Sequence, residues 1–411
     1  MILAFEMTWT GTTHAPGNSA TLQTVALACP GQRIRVFADP SHLRELQRDP
    51  ALTAHGNVAF FPVELSPHYR GKTHIVSPRR FRQELATLRA GLAAAPRDED
   101  CVVLLLSATP TAIFAASLAS RLASGGGRRR VAVQVMLHGN LNEITGWRPR
   151  NPLTRAFDLR SALTAPHPDL LRFLVLEEGI KDALGALLPA ATARTDVLLH
   201  PIYTAEIPER PDATLQAPLR IGFVGQATAA KGIDFFLDVA RDFKARYCDR
   251  IEFYLVGRAM PGSDLARFSV LAHPVTTDHL SRAAFVERLA TLHYVFLPFR
   301  EGYYNLSASG ALIDAVTWLK PVIAPKLPLV EHVFARFGDL GHMCDGDAGM
   351  RQALEEIVTA MDAGRYARQV EALKRARESR TPEALARDYR AILDRSVGGL
   401  RLDPGMPRKA A

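Results

Sequence analysis

The feature that most limits what this chain can become is a repeated alternation. Short apolar, often β-branched runs bounded by turn residues alternate with longer stretches in which apolar positions recur three and four apart. The first pattern suits a strand buried on both faces and the second a helix packed along one side. Together they predict βα units around a mostly parallel sheet, an α/β chain. In the first half, strands are expected at residues 2–7, 33–38, 58–62, 101–107, 130–137, 172–175 and 197–199. Helical stretches fall around 20–29, 41–48, 79–95 and 111–124. A second series places strands at 219–224, 251–256, 294–297 and 322–324, and helices at 232–247, 279–292, 309–319 and 350–361. Two arginine-rich amphipathic helices, near 366–379 and 382–396, follow.

Between the two series lies HPIYTAEIPERPDATLQAP, whose four prolines and weak apolar period suit an interdomain connection. The expected organisation is therefore a domain over 1–204, a linker over 205–217, a second domain over 218–380 and a final segment over 381–411. At 411 residues and 47% hydrophobic, the chain can bury two ordinary cores.

Composition removes several classes of function. No uninterrupted apolar stretch reaches the length of a membrane span, and the start MILAFEMTWTGTTHAPGN lacks the basic and apolar regions of a leader, so a cytoplasmic chain is expected. The cysteines Cys29, Cys101, Cys248 and Cys344 show no C-x-x-C spacing, which argues against disulfides or structural zinc and for four buried, inert thiols. A formal charge of +8 would suit nucleic acid, anionic lipid or phosphorylated ligands alike. The basic runs Gly125 to Arg130 and Arg79, Arg80, Arg82 lack interleaved aromatics, so they are read as solvated faces and no nucleic-acid partner is expected.

Two segments carry chemistry. In LRIGFVGQATAAKGIDFFLDVARDF a strand runs into Gly225, then a small-residue loop, then Lys231-Gly232 and a helix. Unpaired N–H groups and the helix dipole would face that loop, and Lys231 adds a charge for phosphate oxygens. The loop is not a Walker A sequence, since Lys231 precedes Gly232, nor a dinucleotide fingerprint, since G-x-G-x-x-G is absent. In FLPFREGYYNLSASGALIDAVTWLKPVIAPKLP a helix opens at Ser307-Ala308-Ser309-Gly310. Either serine would cap it, free N–H groups near Gly310 would suit a second phosphate contact, and Asp314, one turn on, would reach ribose hydroxyls.

The series FVG-x5-KG, LVG, LP-x-x-EG and DA-x4-KPVIA resembles the C-terminal domain of family 4 glycosyltransferases and covers about the second half of the chain. The resemblance implies the GT-B fold, two Rossmann-like domains facing each other across a cleft, with acceptor bound by the first and nucleotide sugar by the second. It implies donor-diphosphate contacts from Gly225, Gln226, Lys231, Ser307, Ser309 and Gly310, and a ribose contact from Asp314. In that family an arginine follows the loop glycine; here Gln226 stands there. The family's E-x7-E is also interrupted: counted from Lys320-Pro321, Asp314 takes the second glutamate's place and Leu306 the first's, leaving Glu301 about five residues early.

His138, directly after the strand VAVQVM, matches a histidine that the family often places near the donor sugar, with residues 140–143 beside it. His14, between glycines after the first strand, falls where such enzymes bring the acceptor close and would be the base of an inverting reaction. Catalytic candidates are thus His138, His14 and Glu301. No D-x-D flanked by apolar strand residues stands at a position resembling the metal-dependent enzymes, so neither metal nor cofactor is expected, with charge met by Lys231, helix starts and Arg258 or Arg300. The implied activity is hexosyl transfer from a UDP- or GDP-sugar to a saccharide or lipid-linked acceptor, retention favoured, in polysaccharide or glycoconjugate synthesis at an anionic membrane surface. A catalytically degenerate binding subunit, or a nucleotide-sugar epimerase, is the alternative.

Overall fold

The computed structural model describes residues 1–127, 129–146, 149–207, 214–300, 302 and 304–397. Contacts divide the chain into two compact units. The first comprises Met1–Ala205, Leu306–Ala308 and the chain from Arg380 onward; the second comprises Glu206–Asn305 and Ser309–Ser379.

Among the described residues, the first unit is built on seven strands: β1 (Ile2–Phe5), β2 (Ile34–Ala38), β3 (Val58–Pro62), β4 (Cys101–Leu105), β5 (Val131–Met136), β6 (Leu171–Val175) and β7 (Thr195–Val197). They pair in parallel in the order β3-β2-β1-β4-β5-β6-β7. Successive residues of β1 serve opposite cores: Leu3 and Phe5 pack on one face, Ile2 and Ala4 on the other. That is why these strands read as unbroken apolar runs. Helix Pro382–Val397 places Leu385, Tyr389, Ile392 and Leu393 in the second of these cores, three and four residues apart.

The second unit holds β8 (Leu219–Ala227), β9 (Ile251–Ala259), β10 (Tyr294–Phe296), β11 (Val322–Pro325) and β12 (Gly341–Cys344), parallel in the order β12-β11-β10-β8-β9. Cores lie on both faces of this sheet too, with Ile221 and Phe223 on one and Val224 and Val256 on the other. In each unit the strand order reverses beside the first strand, between β1 and β4 in one and between β8 and β10 in the other. The carboxyl ends of the strands at such a reversal are the usual binding place of sheets of this kind.

Some expectations need correction. Cys248 is exposed, since it ends helix Ile233–Tyr247 in a positive-φ conformation; the other three cysteines are buried. Arg80, expected on a solvated face, is only 1% exposed, its Nε donating to Glu84 Oε1 at 2.9 Å and its guanidinium lying over the Tyr69 ring. Strand β12 and helices Glu178–Leu187 and Pro328–Phe337 were absent from the sequence reading. The first helix begins at Ala15, five residues before its apolar period becomes visible.

Candidate functional site

At the strand-order reversal of the second unit, β8 ends in Gly225-Gln226-Ala227 and Thr228 opens a single 3-10 turn, Ala229–Lys231. Thr228 Oγ1 accepts from the Lys231 N–H at 3.3 Å, and Gly232, at φ 81°, turns the chain into helix Ile233–Tyr247. This short path folds Lys231 back on the strand end. A β-carbon placed on Gly225 would lie 3.3 Å from Lys231 Nζ. Burial pulls the Lys231 pKa below the usual lysine range, and the Asp314 charge opposes that shift. The structure therefore brings Gly225, Lys231 and Asp314 together, from a loop and a helix on either side of the strand-order reversal.

Ser309 caps helix Gly310–Thr317, its Oγ accepting the Leu312 N–H at 3.2 Å. Helix geometry leaves the Gly310 and Ala311 N–H groups without intrahelical acceptors. Gly310 is exposed, and the place its β-carbon would take is open. Ser307 belongs to the first unit and donates to its neighbour's carbonyl at 3.4 Å, so the run 307–310 is divided between units. Gln226 is exposed and stands opposite Arg258 in the β8–β9 register. Arg258 Nε is buried with no partner among the described residues. Arg300 is held by Asp347, at 2.8 and 2.9 Å. Glu301 lies outside the described residues.

In the first unit, the parallel strands bring three histidines to one edge from loops far apart in sequence. His14 follows β1, His138 follows β5 and His200 follows β7. Ring centroids are 4.3 Å apart for His14 and His138 and 5.6 Å for His138 and His200, both edge to face, with Trp9 4.6 Å from His14. Desolvation lowers all three pKa values, with histidine neighbours contributing for His14 and His138; His14 falls to about 4. All three rings are therefore neutral at pH 7; His200 Nδ1 already donates to the Pro201 carbonyl at 2.8 Å and leaves that ring an acceptor, while His14 and His138 can each donate one hydrogen bond and accept another. That suits sugar hydroxyls, and it makes His14 a weaker base than an ordinary imidazole.

The sequence reading did not single out His200, although Leu-His-Pro at 199–201 repeats the strand-end Leu-His-Gly at 137–139. It also passed over Glu6. This fully buried carboxylate, one residue past β1, accepts from the Thr8 and Trp9 N–H groups at 2.9 and 3.0 Å, from Asn18 Nδ2 at 3.1 Å and from Ser107 Oγ at 2.8 Å. It fixes the loop that carries His14 across the β1–β4 reversal. Asn140 ties the loop after His138 to the Ala108 carbonyl at 2.5 Å. Among the described residues, no group of three or more His, Cys, Asp or Glu is placed to hold a metal ion.

In sequence, the chain matches no family model and none of the curated proteins. In structure it is similar to a glycosyltransferase from Rickettsia africae ESF-5 (TM-score 0.63, 10% identity, 97% of this chain and 98% of that one). It is also similar to an E. coli trehalose-6-phosphate protein bound with UDP-2-fluoro glucose (TM-score 0.59, 11% identity, 95% and 98%). A third is an α,α-trehalose-phosphate synthase (UDP-forming) from Burkholderia xenovorans in complex with glucose-6-phosphate (TM-score 0.55, 13% identity, 95% and 99%). At these identities the likeness is one of fold, and that fold is the GT-B fold of glycosyltransferases. No helix among the described residues is long and apolar enough to cross a membrane.

Proposed function

We propose that the protein is a metal-independent glycosyltransferase, moving a hexose from a UDP- or GDP-sugar to a hydroxyl of a saccharide or lipid-linked acceptor. The supporting observation is the Lys231 ammonium held against Gly225 and within electrostatic reach of Asp314 on helix Gly310–Thr317. In the reaction, an acceptor oxygen bonds to the anomeric carbon as the bond from that carbon to the diphosphate breaks, and its electron pair leaves with the phosphate. The acceptor hydroxyl loses its proton. Lys231 and the helix N–H groups face the charge that develops on the leaving diphosphate, where fixed donors lower the barrier most.

On this reading Gly225, Gln226, Ser309 and Gly310, all of the second unit, surround the diphosphate and Asp314 binds ribose. Arg258, opposite Gln226, supplies the guanidinium that Gln226 lacks. His14 and His138 bind sugar hydroxyls, retention is favoured, and the setting is glycoconjugate synthesis at an inner membrane face. The UDP-bound and UDP-forming neighbours favour UDP as the donor nucleotide.

Thermal-shift measurement with UDP, GDP, TDP and CDP tests the site, because a ligand of the native state raises apparent stability. One nucleotide should stabilise the wild type and fail to stabilise Lys231→Ala; equal shifts for both proteins sink the assignment. A second reading, a nucleotide-binding subunit without turnover, is favoured by the uncharged Gln226. Nucleotide binding with no transfer across a donor and acceptor panel would establish it.

A further inference from the structure

A cavity of about 490 Å³ in the first unit is absorbed by none of these roles. Its walls include Val76, Pro78, Phe81, Thr111, Thr154 and Phe157. It opens beside the starts of helices Pro78–Ala93 and Pro110–Ser124, which follow β3 and β4. All strands of this sheet are parallel, so the cavity lies at the carboxyl edge that also carries His14 and His138.

Two helix starts would ordinarily make an anion site. Here that property is reduced. Proline stands in the first turn of both helices; Ser77 Oγ accepts the Arg80 N–H at 3.1 Å and Thr109 Oγ1 the Ala112 N–H at 3.0 Å. Among the described residues lining the cavity there is no charged side chain. Of the arginines next to the lining in sequence, Arg80 is turned into the protein against Glu84, while Arg79, Arg82 and Arg155 are exposed and none of them lines the cavity. The cavity thus offers aliphatic and aromatic surface with hydroxyls and, in its lining, no charged partner for a phosphate. Phe157 is 48% exposed at its wall while stacked edge to face on Phe114, 5.4 Å away. An apolar occupant would take that ring out of water.

We propose that this cavity binds an uncharged apolar group of the acceptor, an alkyl chain or aromatic ring, while the sugar hydroxyls lie toward the histidine edge. Calling the ligand an acceptor rests on the transfer reading above. A volume of this size is that of a small-molecule pocket with a few polar groups on an apolar wall.

Calorimetric titration of the full chain, without nucleotide, with monomeric methyl, hexyl, octyl and nonyl glucosides and phenyl glucoside tests this. Affinity should rise about fourfold per added methylene until the cavity is filled. Thr154→Trp, which fills the space from a short surface helix, should weaken octyl glucoside at least tenfold with its melting temperature unchanged; Phe157→Ser should weaken it too. Tighter phenyl than hexyl binding marks an aromatic aglycone as the source, and the reverse marks a lipid chain. Equal affinity for methyl and nonyl glucosides, or Thr154→Trp binding like wild type, overturns the proposal. If a nucleotide stabilises the chain and no glucoside binds, the cavity assignment fails and the donor site stands. If octyl glucoside binds through the cavity and no transfer occurs with any donor, the transfer reading fails and the cavity stands.

Discussion

Gly232 lies so close to Pro298 that a β-carbon on it would sit 2.0 Å from the Pro298 carbonyl oxygen. The contact spans the reversal between β8 and β10 and sets how tightly the Lys231 turn is drawn against the neighbouring strand end. Gly232→Ala meets both a backbone clash and a left-handed φ of 81°. We expect it to lose about 2–4 kcal/mol of stability, read by denaturant unfolding, together with the nucleotide-induced thermal shift. An alanine variant within 0.5 kcal/mol of wild type, roughly the scatter of neutral surface changes, would refute the packing argument.

Lys231→Met removes a partly buried cation while keeping the stem of the side chain. Its melting temperature should stay near that of wild type, and its affinity for the stabilising nucleotide should fall at least tenfold, about 1.4 kcal/mol. Because burial has lowered the Lys231 pKa, wild-type affinity should also decline with rising alkaline pH earlier than an ordinary lysine would allow. The difference between wild type and variant isolates that effect from titration of the nucleotide. A parallel pH profile in both would show that Lys231 does not touch the ligand.

The histidine edge predicts an acid response of definite sign. The unfolded chain takes up protons near pH 6.5, whereas folded His14 does so only near pH 4, so stability present above 6.5 is lost as pH falls from 6.5 toward 4. His138 and His200, also lowered, add to the same slope. Melting temperature measured from pH 7.5 to 4.5 should drop, and His14→Gln should flatten the drop. An unchanged slope in that variant would place the titrating groups elsewhere.

Arg380 and Glu177, both in the first unit, form a buried pair with N–O distances of 2.7 and 3.0 Å. Arg380 also accepts the Ile202 N–H through its carbonyl at 3.0 Å, anchoring the chain just before helix Pro382–Val397. Arg380→Met alone strands a buried carboxylate and should cost about 3–5 kcal/mol, while Glu177→Met with Arg380→Met should recover much of that. A double variant as unstable as the single one would contradict this account.

Periodicity made the sheets legible because strands such as β1, β4 and β5 are buried on two sides, and burial writes itself into consecutive apolar residues. The edge strand β12, Gly-His-Met-Cys, is paired along one side only and carries no such run. The first turn of helix Ala15–Ala28 reads as loop because Asn18 is polar; its burial is affordable only through Glu6 and His42, the latter 3.0 Å away. Arg80 likewise looked like a surface residue until its partners Glu84 and Tyr69 could be seen.

The sequence alone determined the α/β class, the two series of strands and the strand-loop-helix order around Lys231, since those elements are neighbours in the chain; that the Lys231, Gly232 and Ile233 N–H groups are taken by Thr228 and Ala229 was not legible there. Only the tertiary structure decided which distant loops share an edge. Parallel pairing brings His14, His138 and His200 together across some 190 residues, sets Arg258 opposite Gln226 and leaves an uncharged cavity where two helix starts would have suggested a charged one. No local pattern encodes those meetings, because each depends on strand order.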